Sequence, residues 1–221
     1  PAVLAQEKLT LQPGVSPDSI ANGADDDGSG SMTMLAVAKS LSSARPKRSS
    51  LLVWHIGEEK GLLGSGYFVD HPTVPIDSIV AQLNADMIGR RGGGVATWDT
   101  KVSGHLAENR LYVVGPNAAP NDQSKTLGAI LDTVNSRQLR PMQLDHEWDS
   151  PTHPERIYFR SDHFNYARKG IPIVFFTTGL HEDYHKVSDD PTKIDYDKMA
   201  RIGGLLLELG TTLGNREARP K

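Results

Sequence analysis

The sequence predicts an α/β fold: a mixed, mainly parallel central sheet with helices on both faces. Three observations predict it. Apolar runs of strand length recur along the chain, at Leu51-Leu52-Val53-Trp54, Ile79-Val80-Ala81 and Ile171-Pro172-Ile173-Val174-Phe175-Phe176. Segments with helical apolar spacing alternate with them. The runs are apolar at consecutive positions, which suits strands covered on both faces. At 221 residues the chain is long enough to bury one sizeable core and is read as a single domain.

Taken in order, residues 1–23 are rich in Pro, Gly and Ser and read as an extended arm or loop. Residues 29–43 place Met32, Leu35, Ala36, Ala38 and Leu41 at helical spacing, with Ser29 or Ser31 as the cap. Arg45-Pro46-Lys47-Arg48 is a solvated basic turn. Residues 50–56 read as a buried strand, 61–70 as a short helix and 78–86 as a second strand. The glycine-rich stretch 92–108 reads as a loop near a site. Residues 110–114 form a third strand. Residues 122–137 form a helix with Leu127, Ile130, Leu131 and Val134 on one side. Residues 138–160 are irregular. A helix over 161–169, a strand over 171–178 and a long closing helix over 195–214 complete the chain.

Composition excludes several functions. The formal net charge is −3 and 38% of residues are hydrophobic, so nothing favours nucleic acid or an anionic membrane surface. No apolar run is long enough to span a bilayer as a helix. There is no cysteine, so any metal must be held by His, Asp and Glu. The sequence starts at Pro1 without a signal-peptide pattern, and the expectation is a processed chain or a piece of a longer one.

Five residues stand at the polar ends of these segments: Asp26, Glu58, Glu59, Asp86 and His185. Strand ends that project carboxylates and an imidazole toward one place can build a metal site. Adjacent side chains at a strand end point different ways, so one of Glu58 and Glu59 can bind a metal while the other serves as general base. Each residue also has an ordinary reading. Acidic pairs are common on surfaces. Within Asp25-Asp26-Asp27, helix capping accounts for one aspartate, Asp27, but not for three adjacent like charges. Asp86 could be a turn residue, and His181 and His185 could be surface histidines. Ser161-Asp162-His163 has the residue types of a catalytic triad, but triad members meet in space rather than in sequence. No Gly-x-Ser-x-Gly elbow accompanies it, so serine hydrolysis is rejected.

Together these stretches resemble the M28 family of co-catalytic zinc aminopeptidases. The resemblance rests on residues 22–30 (Asn-Gly-Ala-Asp-Asp-Asp-Gly-Ser-Gly), 57–65 (Gly-Glu-Glu-Lys-Gly-Leu-Leu-Gly-Ser) and 83–89 (Leu-Asn-Ala-Asp-Met-Ile-Gly). It rests equally on residues 160–164 (Arg-Ser-Asp-His-Phe) and 179–185 (Gly-Leu-His-Glu-Asp-Tyr-His). It implies a zinc-dependent exopeptidase fold, a peptide substrate, hydrolysis of N-terminal peptide bonds by a metal-activated water, and a secreted or periplasmic setting. By resemblance Asp26 bridges two zinc ions and Glu58 is the general base. Glu59 and His185 complete one metal site, and Asp86 serves the other. Tyr158 polarises the substrate carbonyl, with Arg160 as its rival, and Arg160, Ser161, Asp162 and His163 line the substrate side.

The chain departs from the family pattern in one respect. Members carry an upstream metal-binding histidine in a His-x-Asp motif, and no histidine precedes His55 here. The expectation is therefore a C-terminal part of the domain that holds one zinc. A segment of the same protein with further strands and the absent ligand would precede it. Two other readings share the resemblance: a glutaminyl-cyclase-type cyclotransferase with one zinc, and a metal-free peptidase-like binding module. The 92–108 and 138–160 stretches are expected to shape the substrate pocket.

Overall fold

The computed structural model describes residues 20–91, 108–118 and 122–220. Four strands form one open sheet in the order β1-β4-β2-β3: β1 Gln82–Ala85, β2 Arg110–Val114, β3 Gln143–Asp145 and β4 Ile173–Thr177. β1 runs parallel to β4, and β2 parallel to β3, while β2 and β4 are antiparallel. Five helices with described bounds accompany the sheet: α1 Gly30–Ala44, α2 Leu63–Asp70, α3 Lys125–Ser136, α4 His163–Ala167 and α5 Tyr196–Asn215. This is the mixed, helix-covered sheet that the apolar runs predict.

Strand alternation divides the interior into two cores. Leu111, Val113, Val174 and Phe176 face α1, α3 and α5, where Ile202, Leu205 and Leu209 are fully buried. Tyr112, Val114, Ile173 and Phe175 face the other way, toward α2, α4, Trp148 and Ile157. There Tyr112 stacks on Trp148 with ring centroids 3.9 Å apart and an interplanar angle of 3°. α5 starts where the sequence predicts, and Asp195 caps it by accepting the Lys198 N–H.

Several expectations need correction. Residues 51–56 form no strand. Leu51, Val53, Trp54 and Ile56 are 53%, 39%, 49% and 83% exposed, because no neighbouring strand pairs with them among the described residues. In α1, Met32 and Leu35 are exposed, and Thr33 and Val37 are buried instead. Neither Ser29 nor Ser31 caps α1, since the Ser29 hydroxyl is bonded to Asp25. The Asp27 carboxylate takes the Gly30 N–H, as the capping argument predicts. The 138–160 stretch contains β3, a short polar edge strand with no apolar run to announce it. Residues 1–19 of the arm and 92–107 of the glycine-rich loop lie outside the described residues.

Candidate metal centre

The site is assembled from four segments at one end of the sheet. The first is the irregular turn Ala24–Ser29 leading into α1, with a cis peptide between Asp26 and Asp27. Its approach to β1 requires Gly30, where a Cβ would lie 2.1 Å from the Ala85 carbonyl oxygen. The second is the Glu58–Lys60 turn after the irregular 51–56 segment. The third is the end of β1, carrying Asp86. The fourth is the loop after β4, where His185 adopts a left-handed φ of 58°, a conformation that a non-glycine residue holds only under strong local constraint.

Three of these segments bring their side chains together. His185 Nε2 lies 2.9 Å from a Glu59 carboxylate oxygen and 3.2 Å from Asp26 Oδ2. One ligand atom each from Asp26, Glu59 and His185 falls within 4.8 Å of the others. Asp86 stands beside them. Its Oδ2 accepts the Ser161 hydroxyl at 2.6 Å, and its Oδ1 is buried without a partner among the described residues. Ser161 is itself held by the Asn84 amide at 2.8 Å, so β1 and the 161–163 segment fix the Asp86 carboxylate jointly. Asp26, Glu58 and Asp86 line one small pocket of about 40 Å³ with Arg160 and Tyr184.

The electrostatics ask for a cation. Burial, followed by the charges of Asp86 and Glu59, pushes the Asp26 carboxyl up to about 8. Burial and the same two neighbours push Glu58 up to about 8. Asp86 rises to about 6, mainly through burial, with the Ser161 hydroxyl opposing. Crowded carboxylates in a partly dry site favour protons, and a divalent ion in their midst would reverse that preference.

The remaining sequence-predicted residues are placed as follows. Arg160 reaches the pocket, with Nη2 3.4 Å from the Tyr184 hydroxyl. Asp162 precedes α4 and keeps one buried oxygen without a partner. His163 is a correction. It is fully buried, stacked on Phe175 at 4.6 Å, with Nε2 2.8 Å from the Tyr158 carbonyl oxygen. It therefore supports the core and cannot touch substrate. Tyr158 is 6% exposed and lies edge-on to Phe159, His163 and Phe164. Burial and then the Asp149 charge raise its phenol. His181 pairs with Asp25 at 3.1 Å, away from the cluster. His55 is 3.0 Å from the Tyr166 hydroxyl.

Sequence reasoning missed Tyr184. Its ring stacks on His185 at 3.7 Å, and burial pushes its phenol up to about 12. The available signal was its position beside His185.

The fold is an open mixed sheet covered by helices, and the donor set at its end is two carboxylates and an imidazole. The chain belongs to peptidase family M28, whose model matches residues 10–210. A probable leucine aminopeptidase of Arthroderma otae is 39% identical over 204 residues, covering 88% of this chain and 49% of that protein. The zinc aminopeptidase BSAP from Bacillus subtilis has a similar fold, with a TM-score of 0.64 at 23% identity, over 90% of this chain and 44% of its own. Glutaminyl cyclase from Porphyromonas gingivalis has a similar fold too, with a TM-score of 0.57 at 19% identity, over 86% of this chain and 63% of its own. The chain spans about half the length of the curated relatives it matches.

Proposed function

We propose that this chain carries the catalytic half of a zinc aminopeptidase, hydrolysing the peptide bond that follows the N-terminal residue of a peptide. The convergence of Asp26, Glu59 and His185 carries this reading. Two carboxylates and an imidazole suit zinc in both donor type and number. Asp86 Oδ1, without a partner among the described residues, is a further buried acceptor at the same place. When bound, zinc supplies a Lewis acid for the scissile carbonyl and makes water acidic enough to react near neutral pH. Glu58 lines the pocket, and among the described residues no hydrogen bond or ion pair engages its carboxylate, so it takes the attacking water's proton and returns it to the leaving amine. Arg160 and Tyr184 donate to the oxygen that becomes negative as the carbonyl carbon is attacked. The carboxylate cluster attracts the substrate's free α-ammonium, which favours cleavage at the N-terminus.

The stoichiometry follows from the ligands. A second zinc would have only Asp26 and Asp86, too few for a tight site. Beside Asp86 lies a groove of about 1150 Å³, bordered by the outer edge of β1, residues 51–55 and the apolar side chains of Val37 and Leu213. The outer edge of β1 suits a β-strand, and a strand from a preceding segment of the same protein would cover it and end beside Asp86. Without that segment the chain holds one zinc.

Glu58→Gln tests the reading. Turnover of an aminoacyl substrate, assayed together with any completing segment, should fall by about 10²–10⁴-fold while zinc content is unchanged. Loss of zinc along with activity would assign Glu58 to the ligand set and overturn its role. Elemental analysis of the 221-residue chain should find one zinc per chain. Two would show that another residue replaces the absent ligand.

A further inference from the structure

Two residues outside the ligand set join three of the segments that carry it. Arg90 lies four positions after Asp86, and Asp189 four positions after His185. Asp189 Oδ2 accepts the backbone N–H groups of Asp25 and Asp26 at 2.9 and 3.1 Å. Its Oδ1 accepts Arg90 Nη2 at 2.8 Å. The other arm of the same guanidinium, Nη1, donates to Asp183 Oδ2 at 3.0 Å. Arg90 thus grips carboxylates on both sides of His185 while one of those carboxylates grips the backbone of Asp26.

These contacts are sheltered from water. The side chains of Arg90, Asp183 and Asp189 are 12%, 5% and 2% exposed. A bidentate guanidinium between two sheltered carboxylates has little freedom to shift, and removing one partner leaves a charge uncompensated. A further bond ties the same segments, since Gly89 N–H donates to Asp25 Oδ1 at 2.6 Å. A Cβ on Gly89 would meet that oxygen at 2.8 Å, so the close approach needs glycine. Among the described residues, no hydrogen bond or ion pair of Arg90 or Asp189 reaches Glu58 or Glu59.

We propose that Arg90 and Asp189 are positioning residues, a sheltered ion pair that fixes Asp26, Asp86 and His185 relative to one another ahead of metal binding. The 58–59 segment, which neither residue touches among the described residues, then completes the site. This rests on the ligand assignment made above. It differs from a role in fold stability alone, because it requires the ligand-bearing loops to loosen before the core does.

The variants are Arg90→Met, Arg90→Lys and Asp189→Asn, each in the 221-residue chain. Two measurements are made on each: zinc dissociation constants by chelator competition, and residue-resolved amide hydrogen exchange on the metal-free chain. Arg90→Met should weaken zinc binding by about 10–100-fold, the range for residues that orient metal ligands. Arg90→Lys, which can grip only one carboxylate at a time, should fall between it and wild type. Exchange at the amides of Asp25, Asp26 and 184–189 should quicken by at least about tenfold, with β4 unchanged. Asp189→Asn keeps an acceptor but loses the charge, and should show the same pattern more weakly. If Arg90→Met does not fold, Arg90→Lys and Asp189→Asn carry the test. Zinc affinity within twofold of wild type, with only the melting temperature lowered, would overturn the proposal. So would quickened exchange spread evenly over the core. If the wild-type chain binds no zinc, the ligand assignment fails, and exchange at Asp25 and Asp26 alone decides whether the clamp exists.

Discussion

Residues 50–56 and 171–178 are both apolar runs that end near site residues, yet they meet opposite fates. The second becomes β4, with every strand residue buried between β1 and β2. The first lies along a groove, with Ile56 83% exposed. The runs are similar in composition, so composition does not separate them. What separates them is neighbours: β4 has a strand on each side and helices on both faces, and residues 51–56 have neither strand among the described residues. Apolar sequence states a demand for cover, and only the rest of the polypeptide can meet it.

That contrast can be broken most directly at Phe176 and Trp54. Phe176→Ala removes a fully buried ring from the closed half and should lower unfolding free energy by about 3–5 kcal/mol in urea titrations. A loss under about 1 kcal/mol would mean the closed half is not closed in solution.

Zinc should tie the 51–56 segment to the sheet, because Asp26 leads into α1, His185 follows β4 and Glu59 follows residues 51–56. At a hundred times its dissociation constant, zinc should stabilise the chain by about 2.7 kcal/mol. His185→Ala should abolish that gain in thermal unfolding and His181→Ala should keep it, since His181 is bonded to Asp25. Equal losses would put both histidines in the site.

Acid should act on the closed half through His163. Burial lowers its folded-state pKa from 6.5 to about 3, so the unfolded chain takes the proton more readily. Its contribution is complete above pH 6.5 and is lost as pH falls toward 3, by about 1.4 kcal/mol for each pH unit. His163→Gln should flatten that slope in stability measured from pH 7 to 4. His55→Gln, in the more open groove, should change it less. A reversed order would show that the groove is the drier environment.

The smallest effect is expected in the open half itself. Trp54→Ala should cost under about 1 kcal/mol, because the ring is 49% exposed. A loss as large as that of Phe176→Ala, growing with protein concentration, would show that a second chain covers the groove.

The sequence made much of this legible. β2 is recovered residue for residue, and β4 and α5 nearly so, because their apolar patterns are long and unbroken. β3 was not legible: three partly polar residues at a sheet edge carry no periodic signal. The orientation of α1 was missed because Met32 and Leu35 are apolar yet uncovered, so the sequence pattern pointed to a different face. For the site, the resemblance named Asp26, Glu59 and His185, and the structure brings these three together. Arg90 and Asp189 were passed over because a charged residue in a loop reads as solvated until its partners, 99 positions apart, are seen to meet. His163 misled for the opposite reason: a polar residue beside Asp162 reads as functional, and only its full burial reveals a core role.

The tryptophans follow the same division. Trp148, 2% exposed and stacked on Tyr112, lines the pocket with Asp26 and Glu58, while Trp54 stands half in solvent beside the groove. Excited together, they should give two emissions: a blue, quencher-resistant one from the buried Trp148 and a red, readily quenched one from the half-exposed Trp54. With Trp98, which lies outside the described residues, replaced by phenylalanine, the spectrum becomes a two-channel optical readout. Ligand arriving at the carboxylates would perturb the blue channel, and polypeptide settling into the groove would shift the red one, so the two events can be watched separately in one cuvette.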